Sequence, residues 1–196
     1  MVSARICLAR SSSVIALTFA LPLVVSAQQS DWKEFRNNLA PYVAAPEHAV
    51  DKMLEAANLK PGETLYDLGC GDGRIVIAAA QRYKVKAVGV EISESLAKTV
   101  AEKVKKEGLQ KRVTIIHGDF MKTDLSPADV VTLYLATTAN DVVRPNLEHF
   151  LHPHARVVSY DYPVPGWKPV ETMETGGYHG ATHTIYLYQV PDSLKK

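Results

Sequence analysis

The sequence predicts an α/β fold: a mostly parallel seven-stranded sheet with helices on both faces, closed by an antiparallel C-terminal strand pair. Three observations carry this. Short apolar runs alternate with stretches of helical periodicity between residues 46 and 161, the pattern of strand–helix–strand crossovers. The stretch "YDLGCGDGRIVIAAA" joins an apolar strand to an alanine-rich helix through three closely spaced glycines. Beyond Trp167, "KPVETMETGGYHGATHTIYLYQV" holds two strand-like runs with no room for a helix between them, which makes an antiparallel pair at one sheet edge the simplest reading.

The first 27 residues stand apart. Arg5 and Arg10 precede an apolar run from Val14 to Val25 that ends in "VSA", a small-residue pattern of the cleavage-site type. An apolar core of about 12 to 15 residues is shorter than the roughly 20 that span a membrane comfortably. The expectation is therefore an exported protein, periplasmic or secreted, with an uncleaved membrane anchor as the alternative. Loss of this segment removes two arginines and no acid, which moves the formal net charge from +1 to about −1. Charge gives a nucleic-acid partner no support. Cys7 leaves with the leader, and Cys70 alone forms no intrachain disulfide.

Residues 28–45 are polar and punctuated by proline, an extended arm ahead of the domain at 46–196. At 46% apolar and 22% charged, the 196-residue chain has the composition of a globular protein with one domain of catalytic size. A helix is expected from about Pro46 to Asn58, where Val50, Met53, Leu54 and Ala57 recur at helical spacing. There follow strand 64–69, helix 73–83, strand 86–92, helix 94–107, strands 113–118 and 129–135, helix 138–151 and strand 155–161. No internal repeat is visible.

The turn after the first strand does not fit a dinucleotide. That fingerprint spaces its glycines G-x-G-x-x-G, whereas here they are Gly69, Gly71 and Gly73, and Arg74 stands where the third is needed. Asp67 ends the strand and Asp72 lies inside the turn. Two carboxylates repel a pyrophosphate and attract an ammonium or a sulfonium. S-adenosylmethionine meets that demand: its methionine part carries an ammonium, its reactive centre is a positive sulfur, and it has no phosphate. Gly69 and Gly71 let backbone approach the ligand, and free amides at the helix start can take its carboxylate. Glu91 closes the next strand in "VGVEI", where an acid accepts from both ribose hydroxyls. In "HGDF", Asp119 can accept from an adenine amino group and Phe120 can pack on the ring. Each feature alone has an ordinary explanation as a turn or a helix cap. Their order on successive strand ends is what points to the cofactor.

"DLGCGDGR", "VGVEIS" and "HGDF" resemble the motifs of class I S-adenosylmethionine-dependent methyltransferases, whose Rossmann-like fold has the sheet predicted above. "PYVAAPEHAVDKML", "DLSPADVVTLYLATTANDVVRPNL" and "ARVVSYDY" are similar, more narrowly, to the small lysine methyltransferases of the ATP synthase c-subunit and the adenine nucleotide carrier and to their bacterial relatives. Cys70 replaces a common serine, and Ala45 stands where a hydroxyl residue commonly precedes the proline.

The resemblance implies methyl transfer to a lysine side chain of a protein, with a membrane-associated substrate left open and no nucleic acid or metal involved. The loop after the fourth strand, "LYLATTAN", lies where an acceptor slot belongs and lacks the Asp/Asn-Pro-Pro-aromatic sequence of enzymes that methylate amino groups of DNA, RNA and glutamine. Tyr134 and Asn140 are expected to shape the acceptor site, Asp161 to add polar help at its mouth, and Tyr42 and Pro46 to form a lid from the arm. The plainer alternatives are a core tyrosine, a helix cap and a turn residue. "HPH" at 152–154, with His179 and His183, invites a metal, but transfer from a sulfonium needs none. The basic run at 101–112 is interrupted by Glu102 and Glu107 and reads as a solvated helix face. A small-molecule or quinone methyltransferase is the competing function, and a non-catalytic nucleoside sensor a further one.

Overall fold

The computed structural model describes residues 42–176 and 182–194. The expected leader at 1–27, residues 28–41 of the expected arm and His179 lie outside the described residues. No helix among the described residues is long and apolar enough to cross a membrane.

Helix α1 (Glu47–Ala57) starts after Pro46, whose carbonyl accepts from the Ala49 and Val50 amides at 3.0 and 3.1 Å, and stops at Asn58 in the left-handed conformation. The chain then alternates through β1 (Thr64–Leu68), α2 (Arg74–Tyr83), β2 (Lys86–Glu91), α3 (Glu94–Lys106) and β3 (Val113–His117). A 3-10 turn (Phe120–Lys122) leads to β4 (Val130–Leu133), α4 (Thr137–Phe150), β5 (Arg156–Tyr160), β6 (Glu171–Gly176) and β7 (Thr182–Gln189). The predicted boundaries hold to within two residues. The longest overrun is at β4, because its ladder with β1 ends at Leu68↔Leu133, where the glycine turn carries β1 away.

The seven strands order as β3-β2-β1-β4-β5-β7-β6. The first five are mutually parallel, and β7 runs antiparallel to both β5 and β6. The last strand thus inserts inside the sheet, an order that strand patterning alone does not decide. Helices α1, α2 and α3 contribute to the core on one face, and α4 with the Phe120 turn covers the other. Met53 and Leu54 of α1 are fully buried, each contributing about 1.5 to 3 kcal/mol by transfer from water. All four residues of β4 are buried, as a strand covered on both faces requires. This packing brings the carboxyl ends of β1, β2, β4 and β5 to one edge, where ligands of open α/β sheets bind.

Candidate active site

The turn after β1 is built by backbone conformations open chiefly to glycine: Gly69, Gly71 and Gly73 have φ of 77°, 53° and 74°. At Gly73, the residue before α2, a methyl group would also collide with the Val100 side chain of α3, so this glycine sets how closely the two helices approach. At Gly71 a methyl group would come within 2.5 Å of the Tyr42 ring. Residues 42–45 of the arm therefore lie against the turn and form one wall of a pocket that also includes Asp67, Glu91, Phe120, Tyr134 and Leu135.

Asp67 is buried on β1, and its Oδ1 accepts from the Thr132 hydroxyl of β4 at 2.7 Å. Burial pushes its carboxyl up to about 7, against the bond from Thr132, and the nearby Glu91 and Asp72 add to the rise. Glu91 uses both oxygens on backbone: Oε2 accepts from Gly71 N at 2.8 Å and Oε1 from Ser93 N at 2.9 Å. It fastens β2 to the turn and still lines the pocket. Asp72 has a different partner. Its two oxygens accept from Arg74 Nε at 2.9 and 3.1 Å and from Nη2 at 2.6 Å, and this guanidinium holds its carboxyl below the usual range. Arg74 Nη1 also donates to the Ala45 carbonyl, tying the arm to the start of α2. The residue that breaks the dinucleotide fingerprint is thus the clasp for the arm. Burial pushes the Cys70 thiol up, so at neutral pH it is no nucleophile.

Phe120 lines the pocket, whereas Asp119, expected at the cofactor, stands outside the pocket wall as the cap of the 3-10 turn, its Oδ1 accepting from Met121 N at 2.9 Å. Tyr134 is half-buried in the pocket wall, its ring 4.9 Å from that of Tyr160 at an interplanar angle of 71°. Asn140 and Asp161 do not line the pocket. Asn140 is fully buried in the first turns of α4 and donates through Nδ2 to the Tyr162 carbonyl at 2.8 Å. The cap position of α4 is Ala136, so Asn140 is not a helix cap either. Asp161, with φ of 63°, bonds His183 Nδ1 at 2.6 Å. Pro46 stands outside the pocket wall, at the start of α1. His152 bonds the Pro153 carbonyl at 2.8 Å and sits 3.4 Å from Asp129. Among the described residues, no group of three His, Cys, Asp or Glu side chains is arranged to hold a metal ion. Lys98, Lys103, Lys105 and Lys106 of α3 are exposed.

Thr132, Arg74, Tyr162 and His183 belong to this edge and were not among the residues expected there. Strand alternation offers a signal for Thr132, a polar residue in the otherwise apolar run "DVVTLYL". The other three act through contacts between segments far apart in the chain.

A buried carboxylate that burial drives toward protonation is relieved by a cation, and among the described residues the pocket around Asp67 is lined by no lysine and, of the cations, only by the Asp72-bound Arg74. A glycine turn, two acids and an aromatic ring therefore fit S-adenosylmethionine, whose ammonium, ribose and adenine ask for those donors and acceptors. The ANTKMT methyltransferase domain family matches residues 67–171. The chain is 43% identical over 153 residues to a protein-lysine N-methyltransferase of Saccharolobus islandicus, covering 76% of this chain and 93% of that protein. It is 32% identical to the adenine nucleotide translocase lysine N-methyltransferase of Mus musculus, covering 78% of this chain but only 64% of the mouse protein. Among solved structures it is similar to an RNA methyltransferase of Salinibacter ruber in complex with S-adenosyl-L-homocysteine, at a TM-score of 0.73 and 38% identity over 79% of this chain and 97% of that one.

Proposed function

This chain belongs to the ANTKMT methyltransferase domain family of S-adenosylmethionine-dependent enzymes, and on that premise we propose that it methylates the ε-amine of lysine in a protein. The observation that carries the acceptor is the 43% identity to a protein-lysine N-methyltransferase across nearly the whole of that relative.

The cofactor supplies an electrophilic methyl group on a positive sulfur. In this reading Asp67 holds its ammonium, Glu91 its ribose and Phe120 its adenine, with Asp119 at the adenine edge and the amides after Gly69 and Gly71 at its carboxylate. Asp72 acts through Arg74, keeping the arm on the pocket, and Tyr42 covers the turn. Tyr134 faces the acceptor. A lysine with an ordinary pKa near 10.4 costs roughly 4 to 5 kcal/mol to present as the free amine at pH 7. An apolar, tyrosine-lined slot lowers that cost by disfavouring the charged form, and its aromatic faces still accommodate the methylated cation. Holding the amine in line with the departing sulfur accounts for most of the rate.

RNA is the second reading, favoured by the name of the Salinibacter protein. Against it stand a formal charge near zero and the acids Asp67, Asp72 and Glu91 in the pocket wall. The apolar run from Val14 to Val25 supports a place at or beyond a membrane, and N-terminal sequencing of the native protein separates a cleaved leader from a retained anchor. The acceptor is tested by incubating the purified chain with methyl-labelled cofactor and a fractionated lysate. Label lost on protease treatment and retained after ribonuclease supports the lysine reading; label lost to ribonuclease, or extractable as a small molecule, overturns it.

A further inference from the structure

The chain leaving β5 reverses sharply at Asp161. Asp161 adopts φ of 63°, which L side chains rarely take, and Tyr162 N donates back to the Tyr160 carbonyl at 2.8 Å across this three-residue reversal. Two elements lock it. From β7, the Thr184 carbonyl accepts from Asp161 N at 2.7 Å, Thr184 N donates to Asp161 Oδ1 at 3.2 Å, and His183 Nδ1 meets Asp161 Oδ2 at 2.6 Å. From α4, the fully buried Asn140 donates through Nδ2 to the Tyr162 carbonyl at 2.8 Å, and Ser159 Oγ donates to the same carbonyl at 2.5 Å.

These bonds fix the backbone that carries an exposed ring. Tyr162 is 40% exposed, and its plane lies 26° from that of Tyr134 with centroids 6.5 Å apart. Tyr134 in turn lines the pocket. Strained backbone and a buried amide that hold the loop of a solvent-facing aromatic are expected where the ring meets a ligand. The Asp161 carboxylate is turned onto His183 and the Thr184 amide.

We propose that Tyr162 determines acceptor specificity: with Tyr134 it forms an aromatic wall for an alkylammonium group, and Asn140, Asp161 and His183 are positioning residues that hold it there. This rests on the amine acceptor argued above. An aromatic face attracts a cation through its ring quadrupole and needs no N–H from it. A wall of that kind retains the amine after one or two hydrogens have been replaced by methyl, which favours successive transfers to one nitrogen.

The test uses the full chain with bound S-adenosyl-L-homocysteine, tyrosine-selective isotope labelling, and two probes of one shape: choline and its uncharged carbon isostere 3,3-dimethylbutan-1-ol. Choline should shift the Tyr134 and Tyr162 ring resonances, and the isostere at equal concentration should not. Tyr162→Leu, a change on the surface, should weaken choline binding by about three- to tenfold with cofactor affinity unchanged. His183→Ala should weaken it in the parent chain and add nothing in the Tyr162→Leu background, where a merely structural role would add its own loss. Equal binding of the two probes, or Tyr162→Leu binding choline like the parent, overturns the proposal. A protein that binds choline through Tyr162 but methylates no lysine overturns the acceptor reading instead.

Discussion

The Thr132 hydroxyl donates to Asp67 Oδ1 at 2.7 Å between two buried residues of adjacent strands. The bond aims a carboxylate that water no longer solvates, and it offsets part of the cost of keeping that group charged. If Asp67 meets the cofactor's ammonium, Asp67→Asn keeps the shape and removes the charge. Affinity for S-adenosylmethionine should fall by about 1.5 to 3 kcal/mol, the scale of a hydrogen bond to a charged group. Calorimetry that finds a folded variant with undiminished affinity contradicts the assignment.

The same carboxyl makes stability depend on pH in an unusual direction. Its folded pKa, about 7, lies above the ordinary 3.8, so between those values the folded state binds more protons than the unfolded state, and stability falls as pH rises. At about 1.36 kcal/mol per unit, the loss between pH 4 and 7 is at most about 4 kcal/mol. Denaturant unfolding of the cofactor-free protein should show Asp67→Asn stabilised relative to the parent at pH 8 and not at pH 4. Cofactor affinity should rise with pH toward about 7, because the ammonium favours the ionised acid, and fall again once the cofactor's own amino group loses its proton. A parent and variant with parallel pH profiles would remove Asp67 as the source.

Gly73 and Gly71 separate packing from access. Gly73→Ala meets both a positive φ and the Val100 side chain, and should destabilise the fold by more than about 1 kcal/mol. Gly71→Ala meets Tyr42, which is 52% exposed, so its clash is relieved when that ring moves away. Tyr42→Ala should therefore restore part of the stability lost in Gly71→Ala and none of that lost in Gly73→Ala. Thermal melts of the two double variants decide.

Arg74 joins Asp72 to the Ala45 carbonyl, so its loss should free the arm with little harm to the domain. Arg74→Ala should cost about 1 kcal/mol of stability or less, as for partly exposed ion pairs. Turnover should fall toward that of a chain lacking residues 28–45. Full turnover in both would make the arm a tether only.

Much of this architecture is legible in the sequence because apolar periodicity and glycine spacing are local. β1, β2 and β3 end at Leu68, Glu91 and His117, close to where alternation places them. The position of β7 between β5 and β6 is not legible, because the two C-terminal strands look alike until their neighbours are known. Among the site residues, Asp67, Glu91, Phe120 and Tyr134 converge on one pocket. Asn140 and Asp161 are expected to shape the acceptor site and its mouth, but the structure turns Asn140 onto the Tyr162 carbonyl after β5 and Asp161 onto His183 and the Thr184 amide of β7. A side chain's direction depends on contacts such as Asp161 to His183, across 22 residues, that no local pattern encodes. Tyr162 gains its importance only from the left-handed turn beside it.

The proposed activity is transfer of a methyl group from S-adenosylmethionine to a protein lysine. Its most direct test is mass spectrometry of lysate proteins after reaction with the purified chain and isotopically methylated cofactor, with Asp67→Asn as the control. Labelled methyl-lysine is expected, in one or more single-methyl mass steps at a defined position, and is lost or strongly reduced with the variant. Label found only on nucleotides, on a small molecule or on another amino acid would contradict it.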